Sequence, residues 1–290
     1  MDNFAPSFLT QKIPVGKWVK DFVDFITDHF FDELRLFSDG LGFLIDGLVG
    51  FLQAIDPLIL IVGACVIAYW LHRSWKLVVG VAFGLLLILN IGYWDRTVET
   101  IALVLCATVI AIVFGVPLGI AAAHRRWLYT VIRPILDLMQ TIPTFVYLIP
   151  TLIFFGLGMV PGLISTVIFA IPAPIRLTYL GISSVPRQLV EAGEAFGSTR
   201  LQLLLKVELP HAMPTIMAGI TQCIMLSLSM VVIAALVGAG GLGNPVVRAL
   251  SQMKIAMGFE AGLSIVIIAI VLDRILRRRE IPGAPGSQSV

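Results

Sequence analysis

Long apolar runs separated by short polar stretches dominate the chain beyond residue 54. Runs such as LIFFGLGMV and CIMLSLSMVVIAALVG show no alternation of apolar and polar positions, which favours membrane helices over the strands of a barrel. Because a helix needs roughly 20 apolar residues to cross a bilayer, the pattern predicts seven spans. They are residues 55–71, 75–93, 98–123, 130–156, 160–181, 213–238 and 255–275.

The segment before these spans has a different pattern. Residues 15–54 mix charged side chains with aromatic ones, and Trp18, Phe22, Ile26 and Phe30 recur at helical spacing. Such spacing gives a helix one apolar face, so we predict amphipathic helices that lie in the membrane interface. An additional span within 15–54 is the alternative, and it would move the N-terminus to the other side of the membrane.

The positive charges next to the predicted spans lie mostly on one side. That side holds Arg73, Lys76, Arg125, Arg126, Arg133, Arg187, Arg200, Lys206, Arg274, Arg277, Arg278 and Arg279, whereas the other holds Arg96, Arg248 and Lys254. Because cytoplasmic loops carry the excess of lysine and arginine, we predict a cytoplasmic C-terminus and, with seven spans, an N-terminus outside. Residues 277–290 form a predicted cytoplasmic tail, whose Pro-, Gly- and Ser-rich part is expected to be disordered.

The composition supports an all-α polytopic membrane protein and excludes other classes. The 290 residues are 58% hydrophobic and 13% charged, with a mean hydropathy of +0.97, whereas soluble domains carry about 25% charged residues. A net charge of +2 is too small for a nucleic-acid-binding protein. No H-E-x-x-H, G-x-S-x-G or Walker A pattern occurs, so we expect no enzyme and no metal or nucleotide cofactor on this chain.

A glycine-rich run after the sixth span has the letters of a nucleotide-binding motif. Residues 238–243 read G-A-G-G-L-G, but no strand precedes them, and a strand is what that motif requires. We therefore predict an extracytoplasmic turn instead.

The loop between the fifth and sixth spans is long and carries both leucines and charges. In residues 182–212, Pro186 is predicted to start a helix and Gly197 to end it. Ser198 or Thr199 can cap a second helix, which Pro210 is expected to close before the next span. Exposed leucines beside charges favour a docking element over an unpartnered loop.

This loop resembles the EAA motif of bacterial ABC-importer permeases. That motif is Glu-Ala-Ala, three residues, Gly, nine residues and Ile-x-Leu-Pro, and the matching positions here are Glu191, Ala192, Gly193, Gly197, Val207, Leu209 and Pro210. Gly193 replaces Ala and Val207 replaces Ile. The resemblance implies coupling helices that dock on a separate ATPase subunit, with Gly197 allowing the bend and Glu191 anchoring the contact.

The resemblance extends over most of the chain. The runs DLMQTIPTFVYLIPTLIFFGLG and IPAPIRLTYLGISSVP resemble permeases for glycine betaine, proline and choline, and HRSWKLVVG and ALVGAGGLG are most similar to the choline subgroup. This implies a type I ABC importer transmembrane domain in a bacterial inner membrane. It also implies a homodimer, two ATPase subunits that hold ATP and Mg²⁺, and an extracytoplasmic substrate-binding protein. The implied organisation is an N-terminal segment (1–54), two peripheral spans (55–93) and a permease core (94–276).

The fourth span contains Pro143 and Pro150, which predict a broken helix. Polar residues around the break and on the sixth span are candidates for the translocation path. They are Gln140, Thr141, Pro143, Thr144, Tyr147, Gln222, Ser227 and Ser229. Ordinary helix packing is the alternative role for these side chains. Arg176 on the fifth span is expected either to pair with Asp137 or to extend to the interface.

The function predicted from these features is ATP-driven import of choline by alternating access. Glycine betaine, proline betaine or proline is the alternative solute. An ion-coupled secondary transporter is a further alternative, although no intramembrane acid cluster or clear repeat supports it.

Overall fold

Helices make up nearly all of residues 14–276, the part of the chain that the computed structural model describes, and this part contains no strand. In chain order the helices are α1 (Val15–Gln53), α2 (Pro57–His72), α3 (Trp75–Ile91), α4 (Trp94–His124), α5 (Arg126–Thr141), α6 (Leu148–Phe155), α7 (Met159–Ala170), α8 (Pro172–Ser183), α9 (Arg187–Ala195), α10 (Arg200–Leu203), α11 (Leu209–Ala234), α12 (Gly243–Ser251) and α13 (Ile255–Leu276). Turns of 3-10 helix at Thr144–Tyr147 and Ala235–Val237 and a π-turn at Leu204–Glu208 join neighbouring helices. The predicted tail 277–290 lies outside the described residues.

Helices α4, α8 and α11 form the centre of the fold, with small residues where they touch. A Cβ added at Gly119 on α4 would lie 2.7 Å from the carbonyl oxygen of Ile175 on α8. A Cβ added at Gly219 on α11 would lie 2.9 Å from the Cβ of Leu177 on α8. These close approaches let α8 pack tightly between α4 and α11, as small residues do between membrane helices.

Helices α2, α3 and α13 form a peripheral layer on the outer side of α11. Ile88 of α3 and Ile268 of α13 are buried in one apolar cluster with Leu228 of α11. A Cβ at Gly84 of α3 would lie 2.8 Å from the Ile267 Cγ2 of α13. The two helices therefore touch at Gly84.

The segment predicted to form amphipathic helices is helical, and a kink at Phe30 divides α1 into two parts. The backbone of Phe30 is non-helical, with φ −122° and ψ 22°, so two helices meet at this residue. Ile45, in its second half, is buried against Ala107 and Leu163. Trp18, in its first half, is exposed. The length of α1 also suits the additional span, so its interfacial placement stays a prediction.

Five helical segments of the described chain are long and apolar enough to cross a bilayer, or six if the bent pair α5–α6 counts as one span. They include the predicted spans at 98–123, 160–181, 213–238 and 255–275. Helices α2 and α3 have 16 and 17 residues, which is shorter than the roughly 20 residues of a typical span. The seven-span count and the orientation of the termini stay predictions.

Candidate coupling segment and translocation path

Helix α9 begins and ends at the predicted residues. Pro186 precedes it, and Gly197 follows its end with a φ of +76°. The N–H of Gly197 donates to the Glu194 carbonyl oxygen at 2.9 Å, and the N–H of Ser198 donates to that of Gly193 at 3.1 Å. Glycine is favoured where the backbone after a helix is left-handed, so the predicted helix end at Gly197 is confirmed.

The helix after this bend starts as predicted but does not end as predicted. Of the two candidate caps, Thr199 takes the role, and its Oγ1 accepts from the N–H of Gln202 at 3.3 Å. Pro210 does not close the helix, because the π-turn carries it directly into α11. Pro210 has no N–H, and the N–H of Leu209 donates to the carbonyl oxygen of Leu204, five residues earlier. The π-turn, which is wider than an α-helical turn, thus lets the helix continue past Pro210 although this residue has no N–H to donate.

The two departures from the EAA pattern lie next to each other in space. A Cβ at Gly193 would lie 2.6 Å from Leu203 Cδ1 and 3.7 Å from Val207 Cγ2. Leu203 is buried. The absence of a side chain at Gly193 therefore lets α9 lie close to α10 and the π-turn.

The coupling segment, defined here as residues 187–208, presents apolar side chains on its surface. Phe196 is 91% exposed and Leu201 is 64% exposed, and the predicted anchor Glu191 is exposed near them. Ala192 is exposed as well, whereas Leu209 packs against the cluster that joins α8 to α11. Exposed apolar groups among charges are suited to docking another protein.

Sequence reasoning missed a polar contact that ties the coupling segment to α4. Glu208, at the unspecified position of the Ile-x-Leu-Pro element, is buried. Its Oε2 lies 2.9 Å from His124 Nε2, and His124 Nδ1 lies 2.9 Å from the Ile120 carbonyl oxygen. The His124 ring therefore bridges the Glu208 carboxyl group and the backbone of α4. His124 and Glu208 are 84 positions apart in the sequence, and no sequence pattern links them. The acidic residue between the apolar Val207 and Leu209 was the weak signal that a polar partner lies nearby.

The predicted break in the fourth span is confirmed. Helix α5 and the stretch Thr144–Phe155, which contains α6, meet at an angle of 108°. Pro143 precedes the 3-10 turn that begins this stretch. The Tyr147 hydroxyl donates to the carbonyl oxygen of Met139, across the bend. Thr151 Oγ1 donates to the Tyr147 carbonyl oxygen at 3.0 Å and lies 2.7 Å from Ser165 Oγ. Backbone oxygens at the bend are thus satisfied within the protein, as they must be at membrane depth.

The candidate path residues fall into an exposed and a buried set. Gln140, Thr141, Pro143, Gln222 and Ser229 are exposed, Thr144 is half-buried, and Tyr147 and Ser227 are buried. Tyr147 packs with Met230 in one apolar cluster, so the bend contacts α11. The structure therefore brings the two stretches together, but it buries Tyr147 and Ser227 within the packed helices.

An ion pair joins α5 to α8, as one of the two expectations for Arg176 predicted. Arg176 Nη2 lies 2.6 Å from Asp137 Oδ1, and Arg133 Nε lies 4.0 Å from Asp137 Oδ2. Among residues 14–276, no group of three or more His, Cys, Asp or Glu side chains is placed to hold a metal ion.

The glycine-rich run 238–243 is a turn that rests on the start of α4. The N–H of Gly241 donates to Glu99 Oε2 at 2.5 Å, and the N–H of Leu242 donates to Thr100 Oγ1 at 2.8 Å. Arg96 Nη1 lies 3.1 Å from the same carboxylate oxygen. The run is a turn, as predicted, while its extracytoplasmic position stays a prediction.

Known proteins resemble the chain in sequence and in fold. Residues 115–278 match the family model "Binding-protein-dependent transport system inner membrane component". The glycine betaine transport system permease protein OpuAB of Bacillus subtilis (strain 168) is 48% identical over 91% of this chain and 93% of its own length. The choline transport system permease protein OpuBD of the same organism is 38% identical over 48% of this chain and 61% of its own length.

A solved structure supports the fold. Inward-facing conformations of the MetNI methionine ABC transporter include a chain that matches with a TM-score of 0.57 and 22% identity. The match covers 63% of this chain and 94% of the other. The fold is thus that of a type I ABC importer transmembrane domain. The family match and the similarity to permeases displace the alternative of an ion-coupled secondary transporter. The chain belongs to the binding-protein-dependent transport system inner membrane components, and it is a multi-pass permease subunit of an ABC importer whose ATPase activity resides in separate subunits.

Proposed function

We propose that this permease imports quaternary ammonium solutes, with glycine betaine as the main solute and choline as the second candidate. The observation that carries this proposal is the 48% identity to a glycine betaine permease over 91% of the chain. The similarity to a choline permease is 38% and covers 48% of the chain. Both solutes carry a trimethylammonium group, so one path can pass either of them.

The proposed importer contains two copies of this chain, two ATPase subunits that hold ATP and Mg²⁺, and an extracytoplasmic binding protein that delivers the solute. Phe196 and Leu201, exposed on the coupling segment, contact the ATPase. Helix α10 continues through the π-turn into α11, so a displacement of the docked surface displaces α11. ATP binding opens the path outward, and hydrolysis returns it to the inward-open state.

The proposed path runs along the bend between α5 and α6 and the adjoining part of α11. The exposed polar side chains there, Gln140, Thr141, Gln222 and Ser229, are uncharged. Uncharged polar groups bind a trimethylammonium group weakly, which suits a path that must release its solute. Tight recognition then belongs to the binding protein, where aromatic faces can enclose the ammonium group.

Uptake measurements distinguish the two solutes. Cells that lack other betaine and choline importers are compared with and without the gene for this chain, each supplied with radiolabelled glycine betaine or choline at low micromolar concentration. We expect uptake of glycine betaine to depend on the chain and to be inhibited only weakly by excess unlabelled choline.

The converse pattern, in which choline uptake alone depends on the chain, would replace glycine betaine by choline as the main solute. Uptake of neither solute, with the protein present at normal level in the membrane, would contradict the proposed solute class. Proline is the control solute, because it has no trimethylammonium group and so tests whether that group is required.

A further inference from the structure

Two adjoining cavities lie beside the turn that joins α2 to α3. The larger, of about 410 Å³, lies between α3 and α13 and includes Lys76 and Arg274 in its lining. The smaller, of about 360 Å³, includes His72 and Arg73. Ser74 and Leu77 line both cavities, so the two form one recess next to four basic side chains.

The turn beside the recess is held in a fixed position. Arg73 has a φ of +47°, a left-handed conformation that is uncommon for a residue with a side chain. Its N–H donates to the Tyr69 carbonyl oxygen at 2.7 Å. His72 Nε2 lies 3.0 Å from the Ile275 carbonyl oxygen, which ties the end of α2 to the end of α13. The basic side chains therefore lie where the ends of α2 and α13 and the start of α3 meet.

Among residues 14–276, the lining of the recess carries basic side chains and no acidic one. Arg73, Lys76 and Arg274 are exposed, and the ion pairs among residues 14–276 involve other side chains. None of the described residues that line the two cavities is Asp or Glu. This charge is complementary to an anion.

Below the basic groups, the larger cavity becomes an apolar groove. Its other walls are Leu77, Val81, Ile270 and Val271. A Cβ at Gly80 would meet nothing within 4 Å, whereas one turn further along α3 a Cβ at Gly84 would lie 2.8 Å from Ile267 Cγ2. The helices thus touch at Gly84 and leave open space beside Gly80. An extended apolar chain fits such a space.

We infer that this recess binds one anionic phospholipid of the surrounding membrane. Its phosphate contacts Lys76 and Arg274, and an acyl chain lies along the groove beside Gly80. The occupant must combine an anionic head with an apolar chain, and basic pockets between membrane helices bind such lipids. The bound lipid joins the peripheral pair α2–α3 to α13.

Native mass spectrometry of the purified full-length chain tests this inference. The protein in detergent is titrated with phosphatidylglycerol, and separately with phosphatidylcholine and with soluble glycerol phosphate. We expect saturable retention of one phosphatidylglycerol. The substitutions Lys76→Gln and Arg274→Gln should each lower its affinity roughly fivefold. Lys254→Gln removes an exposed cation outside both cavities, so it is the matched control and should leave the affinity unchanged.

A second pair of variants tests the groove without changing charge. Gly80→Leu places a side chain in the open space, and Gly63→Leu is its control on α2, where a Cβ also meets nothing within 4 Å. We expect only Gly80→Leu to reduce phosphatidylglycerol retention, with the helical content of both variants unchanged.

Three results would overturn the inference. Equal retention of phosphatidylcholine would remove the role of the basic groups, and efficient competition by glycerol phosphate would make the recess a site for small phosphates. Unchanged lipid retention in Lys76→Gln and Gly80→Leu, together with a loss of dimers, would instead make this face a contact between two copies of the chain. None of these results depends on which solute is transported.

Discussion

The coupling segment and the bend at Pro143 are both interruptions of a helix, but they are built in opposite ways. Gly197 adopts a left-handed backbone conformation with a φ of +76°, and the neighbouring Phe196 is 91% exposed. At Pro143 the ring restricts the preceding residue, Ile142, to extended backbone with φ −67° and ψ 130°. The polar groups around that second turn bond to one another inside the protein.

This difference separates the roles of the two interruptions. The first exposes apolar side chains, and its proposed docking role depends on one backbone conformation. The second is closed by hydrogen bonds, and its shape depends on buried partners. A change at the first should therefore affect transport more than stability, and a change at the second should affect stability directly.

The largest effect is expected from Gly197→Val. A β-branched residue at positive φ is strongly disfavoured, and a left-handed conformation costs roughly 1–2 kcal/mol for ordinary residues. A Cβ at Gly197 would meet nothing within 4 Å. The cost therefore comes from the backbone of the substituted residue itself and not from a clash with other residues. We expect ATP-driven uptake in membrane vesicles to fall by about tenfold, with a normal amount of permease in the membrane.

Gly197→Asn is the matched control, because Asn tolerates the left-handed region better than other residues with side chains. It should retain most of the uptake. Equal and normal uptake by both variants would contradict the role given to the bend.

The next effect concerns the contact that holds the coupling segment to α4. Removing one partner of a buried polar pair costs about 1–3 kcal/mol, so His124→Ala and Glu208→Gln should each lower the free energy of unfolding. Because the two side chains contact each other at 2.9 Å, their effects should not be additive. Unfolding of the single and double variants in mixed micelles gives the coupling energy, expected to be about 1 kcal/mol. Additive effects would show that the contact contributes nothing.

A smaller effect is expected from Tyr147→Phe at the bend. The substitution removes the hydroxyl that donates to Met139, and a hydrogen bond of this kind contributes about 1 kcal/mol. Tyr179→Phe is the control, because its ring stacks on that of Tyr129 at 3.5 Å and the stack does not need the hydroxyl. We expect the free energy of unfolding to fall in Tyr147→Phe only. Equal losses in both variants would mean that the hydroxyl does not hold the bend.

Sequence reasoning succeeded where the structure is determined by neighbouring residues. Gly197 ends a helix and Pro143 breaks one because backbone conformation is a local property, and the Thr199 cap depends only on the residues that follow it. The prediction that Pro210 ends a helix failed, because the π-turn at residues 204–208 lets the helix continue through this proline. Sequence reasoning could not find His124–Glu208, because that contact depends on how distant helices pack.

The smallest effect tests whether the departure from the EAA motif is compensated by packing. Gly193→Ala restores the family residue and should gain about 0.5–1 kcal/mol of helix stability. The new Cβ would lie 2.6 Å from Leu203 Cδ1, so the tip of this buried side chain must move, and the resulting strain opposes the gain. We expect a net change below about 0.5 kcal/mol in the free energy of unfolding. Leu203→Val removes the obstructing atom, so Gly193→Ala should be more stabilising in that background than in the original chain. If the gain is the same in both backgrounds, Leu203 is not what makes glycine suitable at this position.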